Sequence, residues 1–250
     1  WNIQLGADRS EFHGLHFGNL TVRINGDQAN SAVDSLRFVR CTLPNLALHY
    51  GQMPSQAIDC VVEQCVVGTF VMSQAGTTTI KNSFIAQPII GGTTGAVVEN
   101  CILFNVNQTS YNGGENNGLM YRSCIFTRLT GTNPYTVNQS SIFLNNRWVL
   151  EPGSSLSFGS NVFSETGNLA VNDLASAFAN SANINYTAFN EDAHYNVAAG
   201  FLTAGYDGTQ VGIYGGPGPV WKDGALPFNP HWNLLTAPGS TNNGVLPNVH

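Results

Sequence analysis

Charged side chains are scarce in this sequence of 250 residues, of which only 10% are Asp, Glu, Lys or Arg. Globular proteins ordinarily carry about 25%. Only nine residues are Lys or Arg, and the formal net charge is −6. The basic surface that binds nucleic acid is therefore lacking, and we expect no nucleic acid as a partner.

A long hydrophobic run is also missing. No stretch approaches the roughly 20 apolar residues of a transmembrane helix, and no basic amphipathic segment suits a membrane surface. We therefore expect no membrane insertion. Gly is abundant instead, with 27 residues, and so are Asn, Ser and Thr. Such a surface is solvated by amides and hydroxyls, which suits polysaccharides better than phosphates.

The chain begins with WNIQLG, within a strand-like pattern and without Met. From this start we expect that a signal peptide or a preceding domain has been removed. The expected location is extracellular or at the cell surface, after export. Neighbouring domains of the same polypeptide are then expected partners.

Cysteine is limited to five residues, an odd number that cannot be paired completely within one chain. No C-x-x-C motif occurs and the six His residues show no ligand spacing, so we predict no metal site. Asp207, in YDGTQ, is interpreted as a turn residue, with a Ca²⁺ ligand as the open alternative. No other cofactor is expected.

Four of the cysteines belong to a column that recurs through the chain. Its members are small or carry an amide: Cys41, Cys65, Ser83, Cys101, Cys124, Asn146 and Asn161. The spacings are 24, 18, 18, 23, 22 and 15 residues. A period of about 20 residues with variable insertions is typical of a solenoid, in which loops absorb the differences in length.

Apolar residues flank this column at fixed distances. Three positions earlier stand Phe38, Val62, Ile80, Val98, Tyr121, Phe143 and Phe158, and two positions later stand Leu43, Val67, Ile85, Leu103, Phe126, Trp148 and Phe163. Period-2 spacing around a bend predicts short β-strands with one face inward. The column itself is predicted to point inward, with reduced and buried cysteines. A disulfide between Cys41 and Cys65 is the less favoured alternative.

The repeat divides the chain into three parts. We assign residues 1–164 to parallel β-helix rungs, 165–216 to a terminal rung and cap, and 217–250 to a Pro/Gly/Asn-rich tail or linker. The cap is expected to contain a short helix in VNDLASAFAN, with Asn172 as its N-cap. A non-repeating cap is expected because the end of a solenoid exposes unpaired strand edges.

The NCILFN-type rungs, followed by EDAHYNVAAG, DGTQVGIYGG and LPFNPH, resemble exported parallel β-helix proteins of Bacteroidetes-type bacteria, within the pectate-lyase-like superfamily. The resemblance covers nearly the whole chain. It implies an all-β fold, a right-handed parallel β-helix solenoid with a non-repeating C-terminal cap. It also implies type IX secretion. In addition, DSL at 34–36 resembles the O-glycosylation signal of such proteins, which implies a glycan on Ser35.

The charged column two positions before the cysteines is the candidate catalytic face. It reads Val39, Glu63, Lys81, Glu99 and Arg122. Lyases on this scaffold use carboxylates that hold Ca²⁺ and a basic residue that removes a proton, and hydrolases need two carboxylates about 5 to 9.5 Å apart. Here the charges alternate and neutralise one another. We therefore interpret the column as an outward ion-pair ladder and lean against catalysis, with a lyase or hydrolase as the alternative.

Three loops are candidates for recognition: residues 49–56, 107–118 and 130–139. Each combines Tyr with amides, a composition suited to stacking on a sugar ring and bonding its hydroxyls. The ligand-binding candidates are Tyr50, Tyr111, Asn112, Asn116 and Tyr135. The favoured function is a non-catalytic extracellular module that presents a polar face for polysaccharide or cell-surface glycan contact, adhesion or assembly. A structural spacer or filament subunit is a further alternative.

Overall fold

The computed structural model describes residues 2–3, 9–17, 21–24, 33–47, 57–73, 77–91, 95–104, 119–129, 141–158, 164–218 and 221. Within these ranges the chain forms two long sheets in which every strand pair is parallel. Strands alternate between the two sheets along most of the chain. The chain is therefore a β-solenoid, as the repeat predicted.

The first sheet, sheet A, contains in spatial order β1 (Asn2–Ile3), β3 (Thr21–Ile24), β6 (Thr42–Ala47), β9 (Val66–Ser73), β11 (Phe84–Gly91), β13 (Ile102–Leu103), β15 (Ile125–Leu129), β17 (Arg147–Leu150) and β19 (Leu169–Val171). Sheet B contains β2 (Glu11–His13), β5 (Arg37–Val39), β8 (Cys60–Glu63), β10 (Thr78–Lys81), β12 (Val97–Glu99), β14 (Met120–Arg122), β16 (Ile142–Leu144) and β18 (Ser164–Thr166). A separate pair joins β4 (Val33–Asp34) to β7 (Ala57–Ile58).

One residue per coil turns the chain from sheet B into sheet A, and its φ is positive. These bend residues are Arg40, Gln64, Asn82, Asn100, Ser123, Asn145 and Gly167, with φ between 47° and 68°. The left-handed conformation costs an L-residue roughly 1 to 2 kcal/mol, least for Gly, Asn and Asp. The bend amides offset that cost by bonding along the stack, as when Asn82 N donates to Glu99 O at 3.1 Å.

The residue after each bend points into the coil. Cys41, Cys65, Ser83, Cys101, Cys124 and Asn146 are all fully buried, and the cysteines are free thiols. The column is also bonded from coil to coil. Cys65 N donates to Ser83 Oγ at 3.1 Å, and Cys124 N donates to Asn146 Oδ1 at 2.9 Å. The prediction that the column points inward is confirmed for these six residues, and the prediction of reduced cysteines is confirmed for the four cysteines among them.

The column continues at Asn168 rather than at the predicted Asn161. Asn146 Nδ2 donates to Asn168 Oδ1 at 3.0 Å, and Phe143 lies opposite Glu165 in the sheet. The alignment that put Phe158 in the Phe143 column was therefore wrong. Phe158 instead packs beside Phe143, with ring centroids 5.2 Å apart, from the segment between β17 and β18. Asn161 and Phe163 lie outside the described residues.

The apolar columns that flank the cysteines form the interior core. Every predicted member from Phe38 to Phe143, and from Leu43 to Trp148, is at most 1% exposed. Because the strands are in register, like side chains stack on one another. The ring centroids of Phe126 and Trp148 lie 3.9 Å apart, and their planes are inclined by 4°. The ring centroids of Tyr121 and Phe143 lie 5.1 Å apart, also with an interplanar angle of 4°. Such pairs contribute roughly 0.5 to 1.5 kcal/mol beyond their burial.

A second core lies outside the coil, between sheet A and the cap. The outward residues Phe84, Ile102, Phe104, Ile125 and Val149 are buried against cap residues that include Leu174, Phe178, Tyr195, Val197 and Phe201. Sheet A is therefore covered on both faces, which explains why its strands are apolar on both sides. The non-repeating cap predicted from the sequence is confirmed.

The cap contains the helix α1 (Leu174–Ala177) and a 3₁₀ turn, Ala199–Phe201. The N-cap of α1 is Asp173, whose Oδ1 accepts from Ser176 N at 2.7 Å, so the predicted Asn172 was wrong by one position. Hydrogen bonds from Ser176 hold the pKa of Asp173 below its usual value. No helix in the described part of the chain is long and apolar enough to cross a bilayer.

The end of the cap, residues 204–216, is called the strap because it runs across the outward side chains of four successive bends. Asn82 Nδ2 donates to Ile213 O at 2.9 Å and to Gly215 O at 2.8 Å. Asn100 Nδ2 donates to Gln210 O at 3.3 Å, and Asn145 Nδ2 to Ala204 O at 3.2 Å. Ser123 Oγ accepts from Tyr206 N at 2.8 Å.

The strap approaches the bends so closely that glycine is required. A Cβ on Gly215 would lie 1.9 Å from Gln210 O and 2.3 Å from Asn100 Nδ2, distances at which the backbone must move. Beyond the strap, Trp221 Nε1 donates to Asn82 O at 2.6 Å and its ring packs edge-on against Phe84. The DGTQVGIYGG motif is thus a docking segment.

The five thiols are expected to resist alkylation in the folded protein and to react after denaturation. Burial raises the pKa of Cys60 to about 11 and also raises the pKa values of Cys65 and Cys101. A hydrogen bond with Cys65 lowers the pKa of Cys41 to about 7, so the protection of Cys41 rests on its complete burial. Cys60, which stands outside the column, is fully buried as well and is expected to be protected like the others. Mass spectrometry after iodoacetamide at mildly alkaline pH measures this, with the exposed Ser155→Cys as a positive control. Rapid native labelling of all five would contradict it.

Replacing Asn82 by Ala is expected to lower the free energy of unfolding by about 2 to 3 kcal/mol. Two hydrogen bonds to the strap are lost, at about 1 kcal/mol each, and Ala tolerates the left-handed bend poorly. The matched variant Asn82→Gly tolerates the bend and should cost about 1 to 2 kcal/mol. Urea unfolding measures both. Equal stability of Asn82→Ala and the parent chain would show that the amide does not hold the strap.

Candidate functional site

The predicted charged column lies on adjacent strands of sheet B. Glu63 is opposite Lys81, Lys81 is opposite Glu99, and Glu99 is opposite Arg122. Lys81 Nζ lies 3.1 Å from Glu63 Oε1, and Arg37 Nη2 lies 3.5 Å from Glu63 Oε2. Among the described residues no ion pair joins Lys81 to Glu99. The charges therefore form two separate groups rather than one continuous ladder.

Glu63 is not the solvated carboxylate that the sequence suggested. Its side chain is only 8% exposed, and a Cβ on Gly218 would lie 3.9 Å from its Oε1. The chain following the strap thus passes over this position. A buried carboxylate is stable when cations and hydrogen bonds surround it, and Arg37 and Lys81 provide two cations. Glu63 is accordingly committed to its ion pairs.

The second group, Glu99 and Arg122, is partly exposed. Arg122 Nε donates to Glu99 Oε2 at 2.7 Å, and its Nη2 contacts the same oxygen. The guanidinium carbon also lies 5.7 Å from the centroid of the Tyr206 ring. The carboxylate and the aromatic ring together hold the planar guanidinium in one orientation.

A cleft of about 460 Å³ lies beside this second group, between sheet B and the strap. Its coil side includes Glu99, Arg122 and Ser123, and its strap side includes Tyr206, Asp207 and Thr209. Two strands and their bends fix the first side. The hydrogen bonds of the strap to the bends fix the second, so the cleft exists only because the strap is docked.

The strap side is exposed and shaped by a tight turn. Tyr206 is one of three large hydrophobic residues that are exposed in the described part of the chain, and 56% of it is exposed. Asp207 follows it, and its Oδ1 accepts from Thr209 N at 3.0 Å and from Thr209 Oγ1 at 2.7 Å. Asp207 is therefore a turn residue, as predicted.

The cleft combines an exposed aromatic ring with carboxylate, guanidinium and hydroxyl groups. An aromatic face packs on the C–H face of a sugar ring while the polar groups bond its hydroxyls. The cleft also brings two carboxylates, Glu99 and Asp207, to one depression, as glycoside hydrolysis requires. Among the described residues no group of three His, Cys, Asp or Glu is placed to hold a metal ion.

The loop candidates Tyr50, Tyr111, Asn112, Asn116 and Tyr135 lie outside the described residues. Ser35 lies at a left-handed bend with φ 56°, is half-buried, and donates from Oγ to Asp34 Oδ1 at 2.6 Å. Its glycosylation stays a prediction.

Sequence reasoning missed the strap side of the cleft. Tyr206 and Asp207 belong to a Gly-rich stretch that reads as turn, and the bend that Tyr206 N contacts, at Ser123 Oγ, lies 83 residues earlier in the chain. The available signal was the row of Asn and Ser residues before the cysteine column. Their amides and hydroxyl needed partners outside the coil.

No protein-family model matches this chain, and no curated protein or solved structure is significantly similar to it. The parallel β-solenoid architecture is shown by the strand pairing itself.

Proposed function

We propose that this chain is a non-catalytic module of an exported protein that contacts glycans through the cleft between sheet B and the strap. The observation that carries the proposal is the exposed Tyr206 ring beside Arg122, Glu99 and Asp207. An exposed aromatic face beside charged and polar groups can pack on the C–H face of a sugar ring while those groups bond its hydroxyls. The scarcity of charge across the sequence, and of basic residues in particular, supports a sugar rather than a polyanion such as nucleic acid as the partner.

The wider setting of the proposal rests on the sequence resemblance alone. We propose membership in the exported, pectate-lyase-like β-helix proteins of Bacteroidetes type, with location outside the cell or on its surface. Adhesion or assembly through a polysaccharide or a cell-surface glycan follows from that setting, as does attachment to neighbouring domains.

The test is retention on a panel of polysaccharides, followed by titration with oligosaccharides of those retained. Tyr206→Ala is expected to weaken binding about tenfold, since loss of an aromatic contact is worth about 1.4 kcal/mol. Tyr206→Phe keeps the ring and should bind nearly as well. Leu202→Ala, another exposed hydrophobic side chain, at 51%, lies outside the cleft lining and controls for surface change. Binding that is unaffected by Tyr206→Ala would refute the site.

Glycoside hydrolysis is the second candidate, because Glu99 and Asp207 line the same cleft. One carboxyl would act as the acid and the other as the base or nucleophile. Extended incubation with each bound polysaccharide should then release reducing ends, and Asp207→Asn should reduce the rate by at least about 100-fold. Release of unsaturated products would instead indicate a lyase. Absence of any product favours the binding module.

A further inference from the structure

The charges that face the cleft leave it with a negative balance. The titratable side chains in its lining that carry charge are Glu99, Arg122 and Asp207, which sum to one negative charge at neutral pH. The chain as a whole is also negative, at −6. An anionic sugar would therefore enter against the local charge, whereas a cationic one would be attracted.

Arg122 is the only cation among the described residues that line the cleft, and it is already paired with Glu99. Arg122 directs Nε and Nη2 to the Glu99 carboxylate, and its guanidinium lies near the Tyr206 ring. The Glu99 carboxylate occupies the Nε–Nη2 edge of the guanidinium and offsets its charge, so a uronate would meet only the Nη1–Nη2 edge of a cation that is already paired. The nearest cation of the neighbouring group, Lys81, is paired with Glu63.

An acceptor for a cation is available, in contrast. Asp207 is exposed, and its bonds within the described residues involve Oδ1 alone. Its Oδ2 can therefore accept from a ligand while the turn stays intact. The adjacent Tyr206 ring presents a negative aromatic face, which attracts an ammonium group.

We infer that the cleft is selective for amino sugars with a free, protonated amine and disfavours uronates. This inference rests on the proposed function and names the ligand class for that same site. The amine donates to Asp207 Oδ2, the sugar ring packs on Tyr206, and Glu99 keeps Arg122 from recruiting an acidic sugar.

The experiment compares three oligosaccharides of equal length, made of glucosamine, N-acetylglucosamine and galacturonate, by calorimetric titration of the 250-residue chain at low salt. Glucosamine oligomers should bind about two- to fivefold more tightly than the acetylated oligomers, because an exposed ion pair contributes at this scale. The galacturonate oligomer should bind most weakly. Added salt should reduce the preference for glucosamine.

The variant Asp207→Asn removes the charge and keeps an oxygen that can accept from Thr209. It should abolish the preference for glucosamine, measured as the ratio of the dissociation constants of the glucosamine and acetylated oligomers. Glu191→Gln, at an exposed carboxylate outside the cleft lining, changes net charge equally and should leave the preference intact. An equal effect of both variants would attribute the preference to overall charge and overturn the inference.

The outcomes separate this inference from the function on which it rests. If all three oligomers bind through Tyr206 but the uronate binds best, the selectivity is wrong and the glycan site stands. If no oligomer binds, the proposed function fails as well. If a lysine peptide of equal charge competes as well as the glucosamine oligomer, the cleft recognises charge rather than sugar, which overturns the inference.

Discussion

The left-handed bend between the two sheets is the constraint on which the rest of the structure depends. A positive φ at one residue per coil turns the chain sharply enough for the next side chain to point inward. The bend amide then bonds to the next coil, so the cost of the conformation is offset along the stack. The bend side chain is left outside, where Asn82, Asn100 and Asn145 donate to the strap. A single backbone conformation thus orders the interior, the stack and the cap.

The strap turns the repetitive surface of sheet B into a cleft with a defined set of lining residues. On its own, sheet B would present ion pairs whose contribution to stability is small. By crossing the bends, the strap leaves Glu99 and Arg122 beside Tyr206 and Asp207, and the chain that follows it passes over Glu63. Its glycines permit this because any side chain at Gly215 would collide with the neighbouring backbone. The cleft therefore arises where a repeating element meets a non-repeating one.

The coil could be predicted from the sequence because the positions that form its core are close together in the chain and recur in each coil. Each column member, such as Cys65 or Val98, stands at a fixed offset from the bend, and that offset recurs in successive coils. The prediction of the last coil failed because residues 151–158 add apolar side chains, including Phe158, that imitate the period without joining a sheet. The cleft could not be predicted from the sequence for another reason. Its two sides meet through hydrogen bonds over a separation of about 80 residues or more, as between Ser123 and Tyr206, and no periodicity encodes such a contact.

The crossing of four bends by the strap also determines how the molecule comes apart. In a simple solenoid each coil touches only its neighbours, so terminal coils can unfold one at a time. Here the coils from Asn82 to Asn145 share one covalent segment that bonds to all of them. Losing any one of these coils releases part of a contact that the others also use, so they form one cooperative unit. The coils whose bends are Arg40 and Gln64 lie before this unit. Opening by local fluctuation should therefore begin among those earlier coils and stop at the bound region.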